Sequence, residues 1–187
     1  MFNFFYSKIN LIKNCYNNFQ KVINLKKIKP KYLFFSEHKK YQKYAYLLIE
    51  NFSIKYPNEV YYVSSDINDK IENLNVKNIY VGKGLLMHIF FIMAHAQNMY
   101  LTVTDLDNNA VKKTKNIDKY IYYFHAPVST TKVYTEAAFD NYDIILCNGD
   151  YHYNEIRKRE EIIMMKIKRS QSMSIMMRSV RCTPRTF

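Results

Sequence analysis

The stretch from Lys119 to Glu160 constrains this chain most, because strand-like and helix-like patterns alternate in it without a break. Lys119 to Phe124 is β-branched and aromatic and reads as a strand. It runs into His125, Ala126 and Pro127. Proline has no amide hydrogen and restricts the residue before it, so the strand ends there. Ser129, Thr130 and Thr131 then offer hydroxyls to cap a helix starting near Lys132 and running to Phe139. Tyr142 to Cys147 is the next strand, Asn148-Gly149-Asp150 a turn, and a last helix begins near Tyr151. Such alternation with buried strands predicts an α/β fold with a parallel, doubly wound sheet. His125 then stands at the carboxyl end of a buried strand, facing a helix N-terminus. Ligands bind at that edge of open α/β sheets, and helix N-termini there favour anions such as phosphate.

The preceding residues extend the pattern. Lys31 to Ser36 is expected as the first strand, with Glu37 and His38 at its end. Lys39 to Lys55 is expected as a helix packing Tyr41, Tyr44, Leu48 and Phe52 on one face. Glu59 to Ser64, Asn78 to Val81 and Met99 to Thr104 follow as strands, with a helix at Leu85 to Gln97. Gly82-Lys83-Gly84 opens that helix, and glycines at such a turn let backbone amides approach a phosphate. The same three residues also read as a plain tight turn. They make neither a P-loop nor a full dinucleotide fingerprint. Asp105 and Asp107 end a strand, where they read as a hydrated turn or as acids at a site. His152 near the last helix start reads as a ligand contact or as a capping residue. His88 and His95 lie seven apart, whereas a helical metal pair wants a spacing of four. No metal site and no cofactor motif is expected.

Charge divides the chain into three parts: 1–30, 31–160 and 161–187. Residues 1–40 carry nine lysines against Glu37, and residues 161–187 carry six Lys or Arg against Glu161, within a net charge of +12. The middle is therefore nearly neutral. A nucleic-acid protein spreads basic residues over its folded face, so no nucleic-acid partner is expected. Residues 1–30 read as a basic amphipathic helix, with Phe2, Phe5, Ile9, Ile12, Tyr16, Phe19 and Ile23 on one face. That helix suits either an anionic membrane surface or its own domain. Residues 161–187 hold four of the six arginines and five of the nine methionines, with no Tyr and no Asn. This abrupt shift reads as a disordered tail or a changed reading frame. Cys15, Cys147 and Cys182 are odd in number and far apart, which favours a reduced, cytoplasmic setting. No apolar run reaches a bilayer's thickness.

The segments KYLFFSE (Lys31 to Glu37), NIYVGKG (Asn78 to Gly84), YIYYFHAPVST and AFDNYDIILCNGDYHYNEIRK resemble the CDP-glycerol glycerophosphotransferase family over roughly Lys31 to Glu160. That family's N-terminal domain carries a histidine at a strand end, in a motif often written His-Gly-Thr-Pro-Leu-Lys. His125 matches it, Ala126 replaces the glycine, and Lys132 lies further downstream. The position of His152 is also often His in that family. The resemblance implies the N-terminal half of a GT-B-type transferase, peripheral on the inner face of the plasma membrane. It implies transfer of a polyol phosphate from a CDP-activated donor to a hydroxyl acceptor, in teichoic-acid-like polymer synthesis. His125 is then the general base, and Gly82, Lys83, Gly84, Ser129, Thr130, Lys132 and His152 are candidate substrate contacts. Such enzymes need a second α/β domain for the nucleotide, and 187 residues hold only one, so a truncated acceptor-side half is expected. Two other readings stay open: a non-catalytic or membrane-peripheral binding domain, and half of a nucleotide-sugar glycosyltransferase or epimerase-like protein.

Overall fold

The computed structural model describes residues 17, 19–108, 111–126, 128–170 and 181–184. A helix α1 covers residues 19–28. Six parallel strands follow: β1 (Tyr32–Ser36), β2 (Val60–Ser64), β3 (Lys77–Tyr80), β4 (Ala96–Leu101), β5 (Ile117–Tyr123) and β6 (Ile144–Cys147). The helices between and after them are α2 (Gln42–Lys55), preceded by a 3₁₀ turn at Lys39–Tyr41, then α3 (Leu85–Met93), α4 (Thr130–Val133) and α5 (Asp150–Ser170). A short strand β7 (Arg181–Pro184) pairs in parallel with β6.

Strand order across the sheet is β3-β2-β1-β4-β5-β6-β7, and every pairing is parallel. The expected doubly wound α/β architecture is thus the observed one. Chain direction across the sheet reverses between β1 and β4, which makes their carboxyl ends the topological switch point.

Alternation along the strands splits the core into two layers. One face carries Phe34, Tyr62, Tyr100, Ile121 and Tyr123 and packs against Ala45 and Ile49 of α2. The other carries Leu33, Phe35, Val63, Met99, Leu101, Tyr120 and Tyr122. It meets Val22 and Leu25 of α1, Phe90 and Phe91 of α3, and Ile156 of α5. Phe35 sits 4.8 Å from Phe91 and 5.7 Å from Phe90 between ring centroids. Each such buried side chain contributes roughly 1.5–3 kcal/mol. The Asn78 side-chain amide, on β3, holds the Ile71 backbone by a pair of hydrogen bonds. Its Nδ2 donates to the Ile71 carbonyl at 2.8 Å and its Oδ1 accepts from the Ile71 amide at 2.9 Å. That pins the loop after β2 to β3.

Five expectations need correction. The helix expected at Leu85 to Gln97 stops at Met93, because Ala94 turns extended and Ala96 and Gln97 pair their amides with the Asn116 and Pro30 carbonyls instead. The strand expected at Met99 therefore starts at Ala96. The helix expected from Lys132 to Phe139 is only Thr130–Val133, and turns occupy the rest. Residues 161–170, expected in a disordered tail, continue α5, and β7 extends the sheet. Cys147 takes part in a disulfide whose other half lies outside the described side chains, in place of the expected free thiol.

In α1, the buried residues are Val22 and Leu25, while Ile28 is exposed and Ile23 half-buried. The described part of that helix packs on its own domain. Phe2, Phe5, Ile9, Ile12, Tyr16 and Pro127 lie outside the described residues. Among the described residues, no helix is long and apolar enough to cross a membrane.

Candidate functional site

His125 lies two residues beyond β5, one strand away from the switch point. The ring is half-buried, because α2 and the turn before it lay two tyrosines against it. Tyr41 meets it edge-on with centroids 4.9 Å apart, and Tyr44 at 6.3 Å. Both tyrosines belong to the face expected to be ordinary core. Leu48 and Phe52 of that face do pack on the core beside the buried Ala45, Ile49 and Ser53, whereas Tyr41 and Tyr44 lie against His125 at the carboxyl edge.

The His125 Nδ1 is buried and has no hydrogen-bond partner among the described residues. Burial lowers the imidazole pKa below its ordinary value, and the positive charge of Lys40 lowers it further. Both effects act against the protonated ring. The imidazole is therefore neutral at pH 7, with unused hydrogen-bonding capacity. Thr102, just after β4, likewise has a buried hydroxyl without a partner among the described residues. A buried polar atom left unpaired costs about 1–3 kcal/mol, which ordinary packing avoids.

Beyond His125 the loop is gripped by α5. The Glu155 carboxylate accepts from the Thr130 amide at 2.6 Å, the Thr130 hydroxyl at 2.5 Å and the Ser129 hydroxyl at 2.9 Å. Burial pushes its pKa up. The hydrogen bonds from Thr130, Tyr151 and Ser129 outweigh that and hold it down at about 2. The anion at the start of α4 is thus a carboxylate of the protein itself. Ser129 and Thr130, read from sequence as substrate contacts, spend their hydroxyls on it. Lys132 is exposed on α4. His152 is 2% exposed, bonds the Val128 carbonyl through Nε2 at 2.6 Å, and lies over the Phe124 ring with centroids 4.1 Å apart.

Gly82, Lys83 and Gly84 sit elsewhere on the same edge. Gly82 (φ 75°) and Gly84 (φ 62°) take the left-handed region, which reverses the chain into α3. The charge of Lys83 is felt at Asp66, whose carboxyl is held below the usual range. The Asn68 amide is the main cause, and the Lys39 amide, His38 and Lys83 add to it. Strands β2, β1 and β4 separate this turn from β5. At about 4.8 Å per strand, the turn and His125 stand about 19 Å apart. A single phosphate does not touch both.

Asp105 and Asp107 build a turn. Asp105 accepts from the Thr135 hydroxyl at 2.5 Å, and Asp107 from the Lys113 amide at 3.2 Å. Both residues have positive φ. Among the described residues, no three His, Cys, Asp or Glu side chains group as metal ligands.

The structure therefore gathers His125, Tyr41, Tyr44 and Lys40 at one point and Ser129, Thr130, His152 and Glu155 beside it. It leaves the glycine turn and the exposed Lys132 outside both groups. Sequence reasoning missed Tyr41 and Tyr44 as neighbours of His125, and it missed Glu155. One signal pointed to Glu155: it lies three residues after His152, which puts the two on one face of a helix. No family model, no curated protein and no solved structure matches this chain.

Proposed function

We propose that this chain is the acceptor-side half of a transferase moving a polyol phosphate, such as glycerol phosphate, from a CDP-activated donor to a hydroxyl. His125 serves as its general base. One observation carries the reading: a desolvated histidine with an unsatisfied ring nitrogen at the ligand edge of a doubly wound sheet. Perturbed titratable groups cluster at functional sites. The sequence resemblance supplies the substrate class.

In this reaction the acceptor oxygen attacks the β-phosphorus of the donor. The bond from that phosphorus to the bridging oxygen breaks, and CMP leaves with the oxygen. The hydroxyl proton passes to the neutral His125 ring. A base held neutral at pH 7 suits that transfer. The nucleotide is held by a second α/β unit, which is not among the described residues.

The test is transfer of radiolabelled glycerol phosphate or ribitol phosphate from its CDP donor to a hydroxyl acceptor, with release of CMP. The purified chain is assayed alone and with a donor-binding partner. Wild-type kcat/KM is expected to rise with pH through a midpoint below the ordinary histidine value of about 6.5. His125→Ala is expected to lose the chemical step by about 100-fold or more with the fold intact. Unchanged turnover in that variant removes His125 from the role. No release of CMP under any pairing, with hydrolysis of a UDP-sugar instead, replaces the donor class.

A further inference from the structure

We infer that His152 and Glu155, one turn apart on α5, form a clamp that fixes the loop after β5 and so positions His125. The inference rests on the reading of His125 as the base, but its geometry is independent of the substrate.

The clamp grips the loop at three successive places. The His152 ring covers Phe124, the residue immediately before His125, at 4.1 Å. Its Nε2 donates to the Val128 carbonyl at 2.6 Å. Glu155 takes the Thr130 amide and the hydroxyls of Thr130 and Ser129. Phe124 before His125, and Val128, Ser129 and Thr130 after it, are thereby tied to one helix.

The loop cannot hold itself. α4 has four residues, too short to pay for its own nucleation. Its starting hydroxyls do not cap it, since Ser129 makes no side-chain cap bond. Glu155 caps it from another element. Simple anchoring of α5 would need only apolar contacts, and Ile156 supplies one, at 2% exposure. His152 and Glu155 of α5 go instead to the backbone and hydroxyls of the His125 loop. His152 bears a cost for this, because its buried Nδ1 has no partner among the described residues.

The experiment follows the five histidine imidazoles of the 187-residue chain by nitrogen-detected NMR, with His125→Gln assigning the His125 signals. Glu155→Gln is the main variant. Thr130→Val is a milder second, which keeps the test open if Glu155→Gln does not fold. Arg159→Gln is the control: it lies four residues further along α5 and pairs with Glu136 and Asp140. A clamp predicts that Glu155→Gln and Thr130→Val shift the His125 signals and raise its midpoint toward about 6.5, as the loosened ring meets water. Removing a negative charge without loosening the loop moves the midpoint the opposite way. Arg159→Gln is expected to lower the melting temperature while leaving His125 at its wild-type midpoint.

If Glu155→Gln and Thr130→Val move His125 no more than Arg159→Gln does, the clamp is refuted and Glu155 only stabilises α5. If His125 responds but no CDP donor is turned over, the clamp stands and the transferase reading fails. If transfer occurs and the clamp variants leave both the His125 midpoint and kcat unchanged, the clamp fails and the transferase reading stands.

Discussion

Replacing Asp69 with alanine tests whether one buried carboxylate ties the layer that covers His125. Asp69 is 3% exposed, in the loop after β2. It accepts from the Tyr62 hydroxyl at 3.0 Å to each oxygen, from the Ser64 hydroxyl at 2.8 Å, and from the Gln42 amide at 3.1 Å. Tyr62 and Ser64 belong to β2, and Gln42 opens α2, two residues before Tyr44. Not all of these partners are stranded by the substitution. Ser64 retains the Ser36 carbonyl at 3.1 Å, and Gln42 retains the Lys70 carbonyl at 2.8 Å. Tyr62 depends most on Asp69, and its residue is 1% exposed. A hydrogen bond to a charged group is worth about 1.5–3 kcal/mol, and an orphaned buried hydroxyl costs about 1–3 kcal/mol. The loss is therefore about 2–4 kcal/mol, or a melting temperature lower by roughly 5–15 °C for a domain of this size. Urea unfolding followed by circular dichroism reads it as a lower midpoint at unchanged slope. The cycle with Tyr62→Phe sharpens the test. The double variant should cost less than the sum of the singles by about 1 kcal/mol or more, since the two share one interaction. A loss under about 1 kcal/mol for Asp69→Ala, or strict additivity in the cycle, would falsify the shared-network argument.

Two further predictions concern the helices. Because the folded Glu155 carboxyl is held at about 2 against an ordinary 4.5, its contribution is complete above about pH 4.5 and is lost as pH falls toward 2. Wild-type stability should therefore fall more steeply than that of Glu155→Gln across this window. Parallel acid limbs in the two proteins would show that the carboxylate makes no difference to folding. Leu25→Ala should cost about 2–5 kcal/mol, because Leu25 is fully buried against the sheet in the described part of α1. A melting temperature unchanged by that substitution, with binding to anionic vesicles reduced, would restore the membrane reading of this helix.

The clamp also explains why the anion-binding turn expected from sequence behaves differently in the fold. Ser129, Thr130 and Thr131 have the composition of a helix cap, and a cap four residues from a candidate base suggests a phosphate. What the linear pattern cannot carry is that Glu155, on another element, reaches the same donors first. A ligand phosphate at this point would have to displace a carboxylate with short hydrogen bonds to Thr130 and Ser129.

The alternation of elements, the doubly wound parallel sheet and the place of His125 at its carboxyl edge are legible in the residues alone. These depend on short-range physics. β-branched and aromatic runs make strands, and a proline two residues after His125 marks a strand's end. Where local signals compete with long-range pairing, the pairing prevails. Ala96 and Gln97 look helical in sequence, yet they join β4 because carbonyls of Pro30 and Asn116 are there to receive their amides. Residues 161–170 shift in composition, yet they remain helical as the continuation of α5. The glycine turn and His125 share an edge in any such fold, but only the strand order β3-β2-β1-β4-β5 puts three strands between them. The surroundings of His125 are of the same kind. Tyr41, Tyr44 and Lys40 come from far earlier in the chain and His152 and Glu155 from a later helix, and only packing brings them to one loop.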